Sequence, residues 1–166
     1  MEQYVDSLFA WYRSAGVLVD ANLLLLYVVG VYDRGQVERF RRTRDRFVAE
    51  DFDTLTSVLG RFDKVVTTPH ILTEVSNMMG QLSGHVREGS FELFARSVLS
   101  MKESYTPVAA LSRNPAFVKF GITDASIRDI ASGYLVLTDD FPLSNYLRSQ
   151  SLDVLNFNNI RPLGYK

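Results

Sequence analysis

Acidic residues stand at four places in this chain where chemistry is commonly done: Asp20, Glu74, Asp124 and the adjacent pair Asp139 and Asp140. Asp20 ends the apolar run Val17-Leu18-Val19 and precedes a second run that starts at Ala21. In an open α/β sheet, ligands bind beyond the carboxyl ends of the strands, so a strand that ends on a carboxylate delivers it to the reactive edge. Asp139 and Asp140 follow the run Tyr134 to Thr138 in the same way. Side chains alternate along a strand, so Thr138 and Asp140 share a face and Asp139 points to the other. One of the two acids then joins Asp20, and the other is a turn or cap residue.

Each acid alone has a structural reading. Asp20 is placed to cap the following helix, Asp124 sits in a first helical turn where the dipole favours it, and the Asp139/Asp140 pair suits a polar turn. Glu74 is less easily absorbed. On a helix from Pro69 the apolar face is Ile71, Leu72, Val75, Met78 and Met79, and Glu74 falls on its margin, capping nothing. If these acids converge, repulsion is substantial: two like charges 4 Å apart cost about 1 kcal/mol in water and about 4 kcal/mol at a protein-like dielectric. Three or four together need a cation or protons. An oxygen-only set suits Mg²⁺ or Mn²⁺ and disfavours zinc. Such an ion lowers the pKa of bound water and aligns a phosphodiester for in-line attack.

The elements that would position these residues follow from periodicity. A helix is expected over residues 2–13 on Val5, Leu8, Phe9 and Tyr12, then a strand over 17–19 and a helix over 21–29 closed by Gly30. Between Asp33 and Phe47, six arginines stand against three acids, with an apolar helical stripe at Val37, Phe40, Thr43 and Phe47. This segment reads either as a solvated face held by arginine–acid pairs or as a phosphate-contacting arm, with Arg39, Arg41, Arg42 and Arg44 as its forks. Asp53 is expected to cap a helix over 54–59, followed by a strand over 64–68. Pro69 then opens a helix that Gly80 closes. A long helix over 90–104, short pieces over 106–121, a helix capped by Thr123 and running to Ser132, a strand over 134–138, a helix over 141–150 and a strand over 154–157 complete the chain. Strands alternating with helices predict a three-layer α/β/α sandwich with a mostly parallel sheet, as a single domain over 1–166.

Composition narrows the partners. Apolar residues are 46% and charged residues 22%, and the net charge of −1 gives no global field for nucleic acid. With no cysteine, disulfides, thiolate zinc sites and cysteine nucleophiles are excluded, and a cytoplasmic location is expected. The first residues lack a secretory leader, and the run Leu23 to Tyr32 is too short for a membrane span. His70, at a helix start, and His85, in a glycine-flanked loop, have no partner at triad spacing, and no glycine pattern suits a phosphate-cradling loop. The aromatics Trp11, Tyr12, Phe91 and Phe94 fall at helical spacing and suit a core or dimer contact better than base stacking.

Four segments in order resemble the PIN-domain nucleases: Val17-Leu-Val-Asp20-Ala-Asn22, Pro69-His-Ile-Leu-Thr-Glu74, Ile122-Thr-Asp124-Ala-Ser-Ile and Val136-Leu-Thr-Asp-Asp140. The resemblance covers roughly residues 16–158. It implies a metal-dependent endoribonuclease acting on single-stranded RNA, with Asp20, Glu74, Asp124 and Asp140 as acidic metal ligands and Asp139 as the alternate. It also implies Thr138 and Asn22 as supporting residues, Asn22 bracing the Asp20 turn, and a homodimer. Many bacterial members are toxins held by a protein antitoxin. This chain is longer than the compact toxins, with segments 34–46 and 106–121 as the extra length. Two other readings of the same residues are an inactive PIN-like scaffold that binds RNA or protein, and a phosphatase-like hydrolase. The second expects an acid where Asn22 stands.

Overall fold

The run Val17-Leu18-Val19 is buried on both faces, and the rest of the chain is laid against it. The computed structural model describes residues 2–161. In chain order the elements are α1 (Glu2–Tyr12), β1 (Val17–Val19), α2 (Ala21–Tyr32), α3 (Arg41–Arg44), α4 (Ala49–Leu59), β2 (Val65–Thr67), α5 (Pro69–Met79), α6 (Gly84–Val98), β3 (Lys102–Glu103), α7 (Val108–Leu111), α8 (Pro115–Phe120), α9 (Ile122–Ile130), β4 (Leu135–Thr138), α10 (Phe141–Ser149) and β5 (Val154–Asn156). The five strands form one parallel sheet in the order β3-β2-β1-β4-β5. Val17 pairs with Val65 on one side and Leu135 on the other, so the ends of β1 and β4 lie level. The fold is the expected three-layer α/β/α sandwich.

The strand order fixes where a ligand can enter. From β1 the chain moves outward to β2 and β3, and it later returns to the other side of β1 to form β4 and β5. Right-handed crossovers in opposite directions put their helices on opposite faces. They part at the carboxyl ends of β1 and β4, which leaves a crevice there. On one face α2 packs against α4, α5 and α6. It can do so because Leu23, Leu24, Leu25, Leu26, Val28 and Val29 make it apolar nearly all round. Over β4 and β5 lies α10, and Tyr12 donates to Asp153 at 2.7 Å, tying α1 to the turn before β5. A separate small core of Leu111, Ala116 and Ala125, with Phe117, Phe120 and Tyr146 around it, holds α7 and α8 on α9.

Several local expectations are corrected. The second helix does not close at Gly30 but runs to Tyr32. Gly30 is there for close approach: a Cβ at this position would stand 2.3 Å from Cδ2 of Phe52. The segment 33–47 is not one helix but a 3-10 turn at Arg34–Glu38 and the single turn α3, although Val37, Phe40, Thr43 and Phe47 are all buried as the stripe required. Side chains divert its backbone: Asp33 accepts from Gly35 N at 2.9 Å, and Thr43 donates to Val37 O at 2.8 Å. Asp53 lies inside α4 and not at its start, and it pairs with Arg34. The helix starts earlier, at Ala49, where Asp51 accepts from Val48 N at 2.9 Å.

The helix expected over 90–104 instead covers Gly84–Val98, which places His85 in its first turn, outside any loop. It is followed by a fifth strand, the two-residue edge β3, too short to leave a period-2 signal; its charged residues suit an exposed edge. Gly121, at φ +91°, caps α9 in place of Thr123, and α9 stops at Ile130 ahead of a 3-10 turn. Trp11 is 82% exposed and is no core residue. No helix among the described residues is long and apolar enough to cross a membrane.

Gly30→Ala should lower the unfolding free energy by about 1–3 kcal/mol through overpacking, against the ~0.5–1 kcal/mol that alanine normally adds to a helix. Urea denaturation measures the balance. A more stable variant would remove the close-approach role.

Candidate functional site

Asp20 is the fixed point of the crevice. It leaves β1 in extended conformation and caps α2, its Oδ1 accepting from Ala21 N at 2.6 Å. Its backbone N–H donates to Leu137 O at 3.0 Å. Its Oδ2 accepts from the Thr138 hydroxyl at 2.6 Å, and that hydroxyl accepts in turn from Asp140 N at 3.0 Å. The cap reading and the site reading of Asp20 therefore use different oxygens of one carboxylate. The residue is only 6% exposed. Burial pushes its carboxyl up to about 7, the bonds from Thr138 and Ala21 oppose the rise, and the charges of Asp139 and Glu74 add to it.

Asp124, half-buried in the first turn of α9, is also pushed up to about 7, first by burial and then by the charges of Asp20, Asp140 and Glu74. The charges of Asp20, Glu74 and Asp140 thus all reach Asp124, and that of Glu74 also reaches Asp20. Glu74 is exposed on α5. Its helix is registered against α9 by a buried contact between the Thr68 and Ser126 hydroxyls at 2.9 Å. Ser126 donates to Thr123 O at 2.7 Å, so Thr68 is the donor to Ser126 while accepting from Ile71 N as the cap of α5. One hydroxyl pair therefore sets both the start of α5 and its height against Asp124. Among the described residues, no three His, Asp or Glu side chains are already gathered as a set of metal ligands.

The Asp139/Asp140 pair divides its work. Asp140 caps α10 through Oδ1, which accepts from Leu143 N at 2.8 Å, and it still contributes charge at Asp124. Asp139, with a side chain 6% exposed, receives Arg46 Nη1 at 3.0 Å and Asn22 Nδ2 at 3.2 Å. Asn22 therefore ties the first turn of α2, next to Asp20, to the residue that follows β4. Asn158 donates to the Asp139 carbonyl at 2.7 Å and fixes the backbone beyond the strand.

The arginine segment is mostly spent on local pairs. Arg34 forks onto Asp53, Arg39 meets Asp33 at 3.5 Å, Arg42 donates to Gln81 at 2.9 Å, and Arg44 meets Asp45 at 3.3 Å. Arg41 is exposed, with no such contact among the described residues. Arg46 was not singled out by its place in the run; a pairing across 93 residues leaves no local signal. Arg161 was missed as well. It lies over the rings of Phe47 and Phe157, pairs with Asp51 at 3.3 Å and donates to Arg46 O at 3.0 Å.

Beside Glu74 a cleft of about 320 Å³ is lined by His70, Thr73, Asn77, Ile122 and Thr123. A second cavity of about 400 Å³, bounded by Asp6, Arg13 and Arg61, includes none of the acids at the crevice. The chain matches no model of a known protein family and no curated protein.

The raised carboxyls carry a stability cost with a defined sign. In the folded protein Asp20 and Asp124 keep their protons up to about 7, while the unfolded chain releases them near 3.8. Between those values the unfolded state binds fewer protons, so metal-free stability falls as pH rises from 4 to 7 and levels off above. Asp20→Asn keeps an acceptor for Ala21 N. It should stabilise the metal-free protein at pH 8 by on the order of 2–4 kcal/mol and flatten the slope. Thermal denaturation in chelator across this range measures both; an unstabilised variant would contradict the burial argument.

Proposed function

We propose that the protein is a PIN-like, Mg²⁺- or Mn²⁺-dependent endoribonuclease that hydrolyses phosphodiester bonds of single-stranded RNA. The observation that carries this reading is the buried Asp20 at the β1/β4 crevice, held by Thr138, with the charge of Glu74 reaching it and its own charge reaching Asp124 together with those of Glu74 and Asp140. The donor set fits a hard cation, since it offers carboxylate oxygens alone, with neither thiolate nor imidazole among them. Glu74 and Asp124 would hold the ion with Asp20, and Asp140 would complete the ring or position the attacking water. When bound, the ion supplies a water of lowered pKa and charge stabilisation at the leaving oxygen.

The chain's own residues prepare that chemistry. Thr138 and the Ala21 amide hold the Asp20 carboxylate in one orientation. The Thr68–Ser126 contact sets the spacing of α5 and α9. Thr138 also fixes the backbone of Asp140, so one hydroxyl orients acids from two strands. A homodimeric state and a toxin role with a protein antitoxin belong to the same reading and rest on the sequence resemblance alone, while a cytoplasmic location rests on the lack of cysteine.

A second reading, an inactive scaffold that binds RNA or protein in this crevice, draws on the fact that no three acids among the described residues already form a ligand set. Metal separates the two. A ligand that binds only the folded state stabilises it by about 2.7 kcal/mol at a hundred times its Kd. Millimolar Mn²⁺ should therefore raise the melting temperature of the wild type by several degrees and that of Asp20→Asn by much less. The same substitution should abolish cleavage of single-stranded RNA while circular dichroism shows the fold intact. Cleavage unchanged by Asp20→Asn would remove the nuclease reading.

A further inference from the structure

Among the arginines of the 33–47 segment, Arg46 bonds to the acidic group itself, through Asp139 at 3.0 Å. The two side chains differ sharply in exposure: that of Asp139 is 6% exposed and that of Arg46 is 52% exposed. The guanidinium thus meets a buried acid on one side and solvent on the other. One N–H of Nη1 is engaged, and the rest of the fork has no acceptor among the described residues. Its backbone is held independently of that bond. Arg161, seated on Phe47 and Phe157, donates to the Arg46 carbonyl at 3.0 Å. Asp139 is held from behind by Asn22, and its charge is felt at Asp20. A planar donor fixed at the rim of an acidic crevice, with part of its fork unused, matches the geometry of a phosphate oxygen pair.

We propose that Arg46 contacts a phosphate of the bound RNA strand, its guanidinium shared between Asp139 and a non-bridging phosphate oxygen. This rests on the nuclease reading above. The bond to Asp139, which follows β4, places Arg46 on the β4 side of Asp20, while Glu74 and its cleft lie on the α5 side, after β2. The strand would therefore be gripped on the flank opposite Glu74. Arg46 would also set a cation beside the carboxylates of a chain whose net charge is −1.

The test compares wild type, Arg46→Gln, Arg46→Lys, the double variant Arg46→Gln/Asp139→Asn, and Arg13→Gln as a control on the distant pair with Asp63. The probe is a short single-stranded RNA of mixed sequence. Cleavage kinetics are read in Mn²⁺, and binding is read by fluorescence anisotropy against salt, each variant in an Asp20→Asn background. Arg46→Gln should raise KM and Kd about tenfold, as loss of a charged hydrogen bond does, with a smaller change in kcat. It should also flatten the log–log salt slope by about 0.7, one phosphate contact on a single strand. Arg46→Lys should recover part of the loss, and Arg13→Gln should match wild type. The double variant removes the buried unpaired acid, so it should regain melting temperature and still bind weakly. Full recovery of binding in the double variant would reduce Arg46 to a neutraliser of Asp139 and overturn the assignment. Wild-type kinetics and salt slope in Arg46→Gln would overturn it too and leave the nuclease reading standing. A wild type that neither binds nor cuts RNA would sink both.

Discussion

A carboxylate stripped of water is unstable as an anion unless donors or a cation face it. Asp20 meets that condition only in part. Two hydrogen bonds, from Ala21 N and Thr138, reach its oxygens, yet burial and the neighbouring acids still hold its proton on to about 7. Much of the surrounding architecture follows from keeping this arrangement in place. The level ends of β1 and β4 bring Thr138 within 2.6 Å of Asp20. The apolar α2 locks the first turn beyond it, and the Thr68–Ser126 contact prevents α5 from sliding along α9. A group that destabilises the metal-free fold and is nevertheless so carefully positioned is the pattern expected when function outweighs stability.

The periphery serves the same end. The small core of Leu111, Ala116 and Ala125 packs α7 and α8 against α9, which carries Asp124. Arg161 stacks on Phe47 and Phe157 and thereby joins the α3–α4 connection to the far end of the sheet, fixing the backbone of Arg46. Packed elements thus bring the acids in, and Arg46 at their edge is itself braced.

What was legible in the sequence has a physical pattern. The buried strands β1 and β4 and the helix α5 were visible because each is written in consecutive residues: an apolar run ending on an acid, or Pro69 before an apolar stripe. The positions of Asp20, Glu74, Asp124 and Asp140 were legible for the same reason. Features set by partners distant in the chain were not. Gly30 reads as a helix stop until Phe52 is seen against it. The 33–47 stripe has helical spacing, but Asp33 and Thr43 take backbone partners that a helix would need. Strand β3 exists only because Val66 and Thr67 offer it an edge. Arg46 and Asn22 both converge on Asp139, a junction between three segments that no local spacing encodes.

The central claim is that the acids at the β1/β4 crevice, which keep protons because their charged forms are desolvated and repel one another, give up those protons to a bound cation. Calorimetric titration of Mn²⁺ into the protein at pH 6 and pH 8, in buffers of different ionisation enthalpy, measures both binding and proton release. The predicted result is saturable binding that releases protons at pH 6 and few at pH 8, and that is lost in Asp20→Asn. No saturable heat with millimolar Mn²⁺ at either pH, or binding that survives Asp20→Asn unchanged, would contradict it.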